Sequence, residues 1–362
     1  MSMTYCEDAN MRLIGAIAVI GVGTLLGGCK GNRANEIGEL PPASVYNDPL
    51  HRSVLRERAI ALLEESARSE RADVRANALE ALLQVPARAK PLIERGLEDE
   101  NLGVRTVALL CAGRLRLTSS EARFRELLSD RSPYVQCAAI FALARCGKPV
   151  DRTPLATALM SDPKISVRSH AASILGELED RSSIQMLQQA SVQREPFASV
   201  SELSLLRLQI AEALVKLGET DQIETLNAAL FPARADAVEG AVLAATMLGE
   251  LKASSSADLL KNVAAQEQRG PGGSIEPAMP PEFRLAAAVS LAQMGDESGL
   301  FVAEQFREHP SELIRAQAAH AYGHLGGDRA LTGLESLVGD QSEIVRVSAA
   351  AGLVRALAAT GR

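Results

Sequence analysis

A pattern that recurs nine times dominates the sequence from residue 50 to the C-terminus. Each copy has an anchor residue, usually Arg. In most copies Ala follows at +3 or +4 and apolar residues at +7 and +10, and then comes Gly or a polar residue. A unit of about 31 residues cannot bury its apolar face alone, so such units must stack against their neighbours. The anchors are Arg75, Arg105, Gln136, Arg168, Arg207, Ala241, Arg284, Arg315 and Arg346.

Each repeat also contains a second apolar stretch between successive anchors, such as ALTGLESLVG at 330–339. Hydrophobic residues make up 47% of the chain, but Trp is absent and aromatic residues account for only 3%. The apolar residues are therefore mainly Ala, Leu and Val, which suit closely packed helices, and the alternating runs typical of strands are missing. We expect an all-α fold in which each repeat forms two short antiparallel helices.

The segments PKISVRSHAASILGELED (163–180) and SELIRAQAAHAYGHLGGD (311–328) resemble the HEAT repeat in the short form named after the phycobilin lyases. This resemblance implies an α-solenoid of about nine helical hairpins over residues 49–362, shaped as an extended, curved rod. We interpret the anchor arginines and the acidic turn residues of the repeats as helix caps and a ladder of ion pairs. The acidic residues, each six positions before an anchor, are Asp99, Asp130, Asp162 and Asp340.

The N-terminal region differs from the repeats, because an uncharged, largely apolar run at 13–28 follows Arg12. The end of this run, Leu26-Gly27-Gly28-Cys29, resembles the lipobox of bacterial lipoproteins, a family in which the cysteine is acylated and becomes the first mature residue. We therefore expect a signal peptide at 1–28 and a lipidated, flexible tether at 29–48. An uncleaved membrane anchor or a buried helix is the alternative.

Two methionines, Met1 and Met11, are candidate start sites. Glu7 and Asp8 lie between them and do not suit the positively charged beginning of a signal peptide, which favours Met11.

The overall charge argues against nucleic acid as a partner. The chain carries 38 basic and 45 acidic residues, a net charge of −7, and cleavage before Cys29 removes Arg12, Glu7 and Asp8, which leaves −6. Nucleic-acid binding relies on basic grooves and stacking rings. We expect the membrane to be contacted through acyl chains on Cys29 and not through surface charge.

Two histidines raise the question of a metal site. If positions −1, +3, +7 and +10 point into the stack, positions +2, +5 and +9 share the opposite stripe of the helix. His320 and His324 lie at +5 and +9, the spacing at which two imidazoles can share a metal ion. The neighbouring repeats offer no third ligand on this stripe, so the pair is a weak metal candidate and we interpret both histidines as solvated. The neighbouring residues are Val289, Gln293, Ala351 and Arg355.

The same stripe is apolar in the second and third repeats. Val107, Leu110 and Phe141 would form a patch beside Arg114 and Arg145. An exposed aromatic residue flanked by arginines is typical of a protein-binding surface, so these five residues are candidates for contact with a partner. The alternative is that the helices are rotated and Phe141 is buried under a neighbouring element.

A Gly- and Pro-rich segment, QEQRGPGGSIEPAMPPE at 266–282, interrupts the repeats before Arg284, and a longer connection also precedes Arg207. We expect the 266–282 segment to form an irregular surface loop. Such an insertion is either a binding element or tolerated decoration, and decoration is the interpretation we favour.

Motifs that carry chemistry are missing from the sequence, including phosphate loops, nucleophile elbows and zinc-type clusters. Deoxyhypusine hydroxylase, a HEAT-repeat di-iron enzyme, would require His-Glu pairs at +1 and +2 of several repeats, and only His170 occupies such a position here. We therefore expect a protein that is not an enzyme, with no cofactor and no small-molecule substrate.

The sequence thus predicts an exported, lipid-anchored scaffold that binds a protein partner at a bacterial membrane, on the periplasmic side or at the cell surface. The alternative is an accessory, chaperone-like or lyase-type subunit of a cofactor-bearing enzyme. The scaffold itself implies little about function, because one fold serves many tasks.

Overall fold

The computed structural model describes residues 45–194, 198–232, 237–269 and 275–358. These residues contain eighteen α-helices, which pair into nine antiparallel hairpins. The predicted all-α fold and the predicted number of hairpins are confirmed.

In each hairpin the first helix lies on the outside and the second, which carries the anchor, lies on the inside and is the more buried. The outer helices are α1 (Pro49–Ser66), α3 (Pro86–Gly96), α5 (Glu121–Leu127), α7 (Thr153–Ser161), α9 (Ile184–Val192), α11 (Ile223–Ala229), α13 (Ala257–Ala265), α15 (Leu300–Phe306) and α17 (Gly327–Leu337). The inner helices are α2 (Ala72–Ala81), α4 (Leu102–Arg114), α6 (Pro133–Arg145), α8 (Ile165–Glu177), α10 (Val200–Lys216), α12 (Val238–Glu250), α14 (Pro281–Gln293), α16 (Glu312–Leu325) and α18 (Glu343–Ala358).

Polar residues in the turns fix where the inner helices begin. Asn101 caps α4 by accepting hydrogen bonds from the backbone amides of Gly103 and Val104. At the start of α10, Ser199 and Glu202 form a reciprocal capping box. Such caps satisfy amide groups that lack a partner in the first helical turn.

The anchor arginines join successive hairpins. Arg75 lies 2.7 Å from Asp99 in the turn of the next hairpin, and Arg105 lies 3.0 Å from Asp130. Each of these arginines also donates to two backbone carbonyl groups of its own turn. The predicted ladder of ion pairs is therefore present at these positions. Arg315 forms the same kind of ion pair with Asp340.

The solenoid closes on itself. Every inner helix packs against the inner helix before and after it, and α18 packs against both α1 and α2. The Ser69 hydroxyl donates a hydrogen bond of 2.6 Å to Glu343, and Tyr46 donates one of 2.8 Å to Glu335. The nine hairpins thus form a ring and not the open, curved rod that the resemblance implied.

One edge of the ring is more elaborate than the other. All connections from an outer helix to its inner helix lie at this edge, because the outer helices run antiparallel to the inner ones. Six of these connections span three to five residues, whereas those before α10, α12 and α14 cover 193–199, 230–237 and 266–280. We call the part of the edge formed by these three consecutive hairpins the elaborated edge.

The longest connection is not irregular throughout, which corrects the expectation for 266–282. Two strands, β1 (Glu267–Arg269) and β2 (Ile275–Pro277), pair antiparallel with Glu267 opposite Pro277. This short hairpin is exposed along β1 and extends the elaborated edge.

Candidate functional site

The stripe at +2, +5 and +9 faces the interior of the ring. Arg114 on α4 lies 3.1 Å from Glu80 on α2, so successive inner helices contact each other through this stripe. Glu250 on α12 also interacts with the charges of Glu80 and Arg114, although α12 lies several helices away from α2 and α4 along the ring. The polar side chains of distant helices therefore meet inside the ring.

The predicted exposed patch does not exist. Val107 and Leu110 are buried, and Phe141 is only 1% exposed. The ring of Phe141 lies over Gly113 on the preceding inner helix, where a Cβ atom would come within 2.7 Å of it. The alternative, burial of Phe141 under a neighbouring element, is correct, because closure and tight helix packing cover this stripe.

The two arginines of the proposed patch point to acidic groups of the protein itself. Arg114 pairs with Glu80, and Arg145 lies 3.9 Å from Glu179. Burial is the largest single influence on the pKa of Arg114 and lowers it, but Glu80 and the other nearby acidic groups together raise this pKa overall. Their predicted role in partner binding at an open surface therefore loses its structural basis.

A charged cluster occupies another part of the interior. Lys216 Nζ lies 2.7 Å from Glu177 and 2.8 Å from Glu212. Burial opposes the charged form of Lys216, but the two carboxylates raise its pKa overall. Gln209 donates a further hydrogen bond to Glu212. A buried ion cluster of this kind is stable only because its charges are mutually satisfied.

Among the described residues Glu250 forms no ion pair, and the more distant charges of Lys216 and Arg114 offset its burial only in part. The side chain of Glu250 is exposed to solvent, but the space that it faces is surrounded by protein. These surroundings raise the pKa of Glu250 to about 8 by burial, and the charge of Glu212 raises it further. The carboxyl group of Glu250 therefore exchanges protons near neutral pH.

The histidine pair lies on the wall of an interior cavity and not on a solvated outer face. The rings of His320 and His324 are 4.8 Å apart in an edge-on arrangement. Burial lowers the pKa of both, to about 3 for His324, and the nearby charge of Arg355 adds to the effect. Both imidazoles are therefore neutral at physiological pH.

The cavity has a volume of about 200 Å³. The residues that the sequence places beside the histidines, Val289, Gln293, Ala351 and Arg355, all line it. Glu80 and Glu250 contribute from other inner helices. The stripe thus brings these side chains together as the repeat register predicts, but around a partly open space inside the ring.

The thiols and acidic groups of the described residues do not assemble a metal site. Within the described ranges, no group of three or more His, Cys, Asp or Glu side chains is arranged to hold a metal ion. Cys111 and Cys137 are buried free thiols, and burial raises the pKa of Cys137 to about 12. Thiols in such surroundings are poor nucleophiles.

The lipobox and Cys29 lie outside the described residues. In the part of the chain that the structure describes, the helices are too short or too polar to cross a bilayer.

Sequence reasoning missed the cavity and the roles of Gln293, Gln317 and Arg355 in its wall. A signal was present, because position +9 carries a polar or charged residue in every repeat. Nine such positions in register suggest a common polar environment, but the repeat pattern alone does not distinguish an outer face from the inside of a ring.

A family model described as HEAT repeats matches residues 120–204 and 275–354. No curated protein matches the sequence. Human deoxyhypusine hydroxylase in complex with glycerol is structurally similar, with 18% identity, 77% of this chain and 99% of that chain covered, and a TM-score of 0.38.

Two further solved structures are similar at low identity. The complex of CpcE and CpcF of phycocyanin lyase from Nostoc sp. PCC7120 has 16% identity and a TM-score of 0.39, with 80% of this chain and 100% of that chain covered. The Kap95:Nup1 complex has 13% identity and a TM-score of 0.38, with 84% and 47% covered. The family match identifies HEAT repeats at residues 120–204 and 275–354. The other hairpins have the same two-helix architecture.

Proposed function

We propose that this protein is a membrane-tethered, non-catalytic scaffold that binds a protein partner at the elaborated edge of its ring. The observation that carries the proposal is the position of three long connections in consecutive hairpins at one edge. Long connections between packed helices are uncommon unless they bind something or are disordered. Their position in three consecutive hairpins favours a binding element over the decoration that we expected for 266–282. A ring with one variable edge and a regular opposite edge presents a natural docking face.

Exposed apolar side chains at this edge support the proposal. Val192, the last residue of α9, is 76% exposed, and Val200, the first residue of α10, is 74% exposed. Phe231, which follows α11, is 59% exposed. Single exposed apolar residues are normal, but three in adjacent hairpins at one edge favour a docking surface for a partner that presents an apolar face.

A photo-crosslinking experiment tests the docking surface. With p-benzoylphenylalanine at position 231, we expect ultraviolet light to join the protein in intact cells to one defined partner. The matched control places the same residue at position 50, because Leu50 is also exposed but begins α1 at the opposite edge. Adducts of equal yield from both positions, or adducts from neither, contradict docking at the elaborated edge.

We also propose that acyl chains on Cys29 hold the ring at the membrane. The Leu26-Gly27-Gly28-Cys29 sequence supports this anchor, and the residues up to the start of α1 are long enough to act as a tether. Stable attachment needs more than one acyl chain, as lipoprotein modification would provide.

Cell fractionation tests the anchor. Cys29→Ala is expected to move the protein from the membrane fraction to a soluble fraction, and Cys111→Ala, a buried thiol in α4, is expected to leave its distribution unchanged. If Cys29→Ala stays in the membrane fraction after a salt wash, the lipid anchor is refuted, whereas the docking surface remains testable by crosslinking.

A further inference from the structure

The interior cavity contains several polar groups that the protein leaves without partners. The buried atoms Gln293 Oε1, Gln317 Oε1 and Arg355 Nη1 have no hydrogen-bond partner among the described residues, and all three residues line this cavity. Gln317 is only 7% exposed. Buried polar groups are normally paired, so a cluster of groups that the protein itself leaves unpaired around a single cavity favours a site for a polar ligand.

Arg355 is the most informative of these residues. Among the described residues, none forms a hydrogen bond or ion pair with its guanidinium group, and burial lowers its pKa. The negative charge of Glu80 raises the pKa of Arg355 slightly, but Glu80 forms its ion pair with Arg114. A largely desolvated guanidinium without an anionic partner is unfavourable, and a bound anion would compensate its charge.

The groups around Arg355 can bind an anion without adding positive charge. Arg355 Nη1 lies over Gly323, 3.4 Å from the place a Cβ atom would take, and Gly323 is between His320 and His324 on α16. Each neutral imidazole offers one N–H donor. The amides of Gln293 and Gln317 can turn to present either oxygen or nitrogen, so they can also donate.

We infer that the interior cavity binds a small organic monocarboxylate. The planar guanidinium of Arg355 matches a carboxylate through two parallel hydrogen bonds, and the neutral donors complete its shell. Leu285 and Val289 supply an apolar wall for a short hydrocarbon part. Glu80 also faces the cavity, and its negative charge disfavours a dianion such as phosphate. This ligand site is independent of the docking surface proposed above.

Calorimetric titration of the purified full-length protein with butanoate tests the inference. We expect saturable binding to the wild type, and we expect Arg355→Gln to lower the affinity by about tenfold or more, since a hydrogen bond to a charged group is lost. Arg145→Gln is the matched control, because Arg145 also occupies position +9 but does not line the cavity. It should bind butanoate like the wild type.

Ligand specificity and stability provide the second readout. Butanamide and inorganic phosphate should not compete with butanoate. Without ligand, Arg355→Gln should raise the melting temperature because it removes an uncompensated charge. If Arg355 had a purely structural role, the same substitution would lower the melting temperature. Arg355→Lys keeps the positive charge but loses the two parallel hydrogen bonds of the guanidinium group, so this variant should also bind butanoate weakly. Absence of butanoate binding, equal binding of phosphate, or unchanged binding in both Arg355 variants would overturn the inference.

Discussion

At the scale of single residues, glycines at position +8 set the separation of neighbouring inner helices. A Cβ atom at Gly249 would lie 2.6 Å from Ser290 Cα, and one at Gly176 would lie 2.8 Å from Ala213 Cα. Both obstacles are backbone atoms, so relief would require an entire helix to move. These glycines are needed for close approach and not for their backbone freedom.

Replacement of Gly249 tests this role. We expect Gly249→Ala to lower the free energy of unfolding by about 1–3 kcal/mol, because the added methyl group overpacks the helix contact. The control on the same helix is Gly240→Ala, whose Cβ atom would lie 3.5 Å from Leu208 Cδ1, an ordinary contact. Its free energy of unfolding should be unchanged or raised by up to about 1 kcal/mol. Urea denaturation measures both, and equal stability of the two variants contradicts the proposed contact.

The repeat pattern predicts which residues share a helix face but not the surroundings of that face. Tyr322 at +7 is buried, as the pattern indicates, and His320 and His324 do lie on one stripe with Arg355. The same periodicity assigned the stripe to solvent, because an amphipathic helix presents its more polar face outward when the solenoid is open. Closure of the ring turns that polar face into a wall of the interior.

At the scale of helices, eight of the nine hairpins are grouped in four pairs, and the first hairpin lies outside these pairs. Contacts between inner helices are most extensive for α4 with α6, α8 with α10, α12 with α14 and α16 with α18. The first helix of each pair carries Gly at +8: Gly113, Gly176, Gly249 and Gly323. This alternation is visible in the sequence once the anchors are aligned, although a search for a single period of about 31 residues overlooks a two-repeat period.

The connections show where local sequence is informative and where it is not. Gly and Pro marked 266–282 as an insertion, and the structure places it outside the helices. Composition could not predict the pairing of β1 with β2, since register depends on backbone partners across the turn. That the insertions share an edge follows from the antiparallel arrangement of every hairpin, which the repeat pattern did predict.

At the scale of the whole molecule, closure is the property that sequence analysis could not provide. It rests on contacts between residues far apart in the chain, such as Ser69 with Glu343 and Tyr46 with Glu335. Each contact is an ordinary polar pair, so neither residue stands out in the sequence. The small rotation between successive hairpins accumulates over the array, and nine hairpins complete one turn.

The distance between the first and last hairpins tests the closed ring most directly. Spin labels at Asn47 and Ser336, both exposed, can be attached through cysteines in a background without the native cysteines, and pulsed electron paramagnetic resonance then measures their separation. The closed ring predicts one narrow distribution at short distance, because Tyr46 contacts Glu335. An extended stack of nine hairpins, at about 10 Å per layer, would place the labels up to about 80 Å apart, and a long or broad distribution would contradict closure.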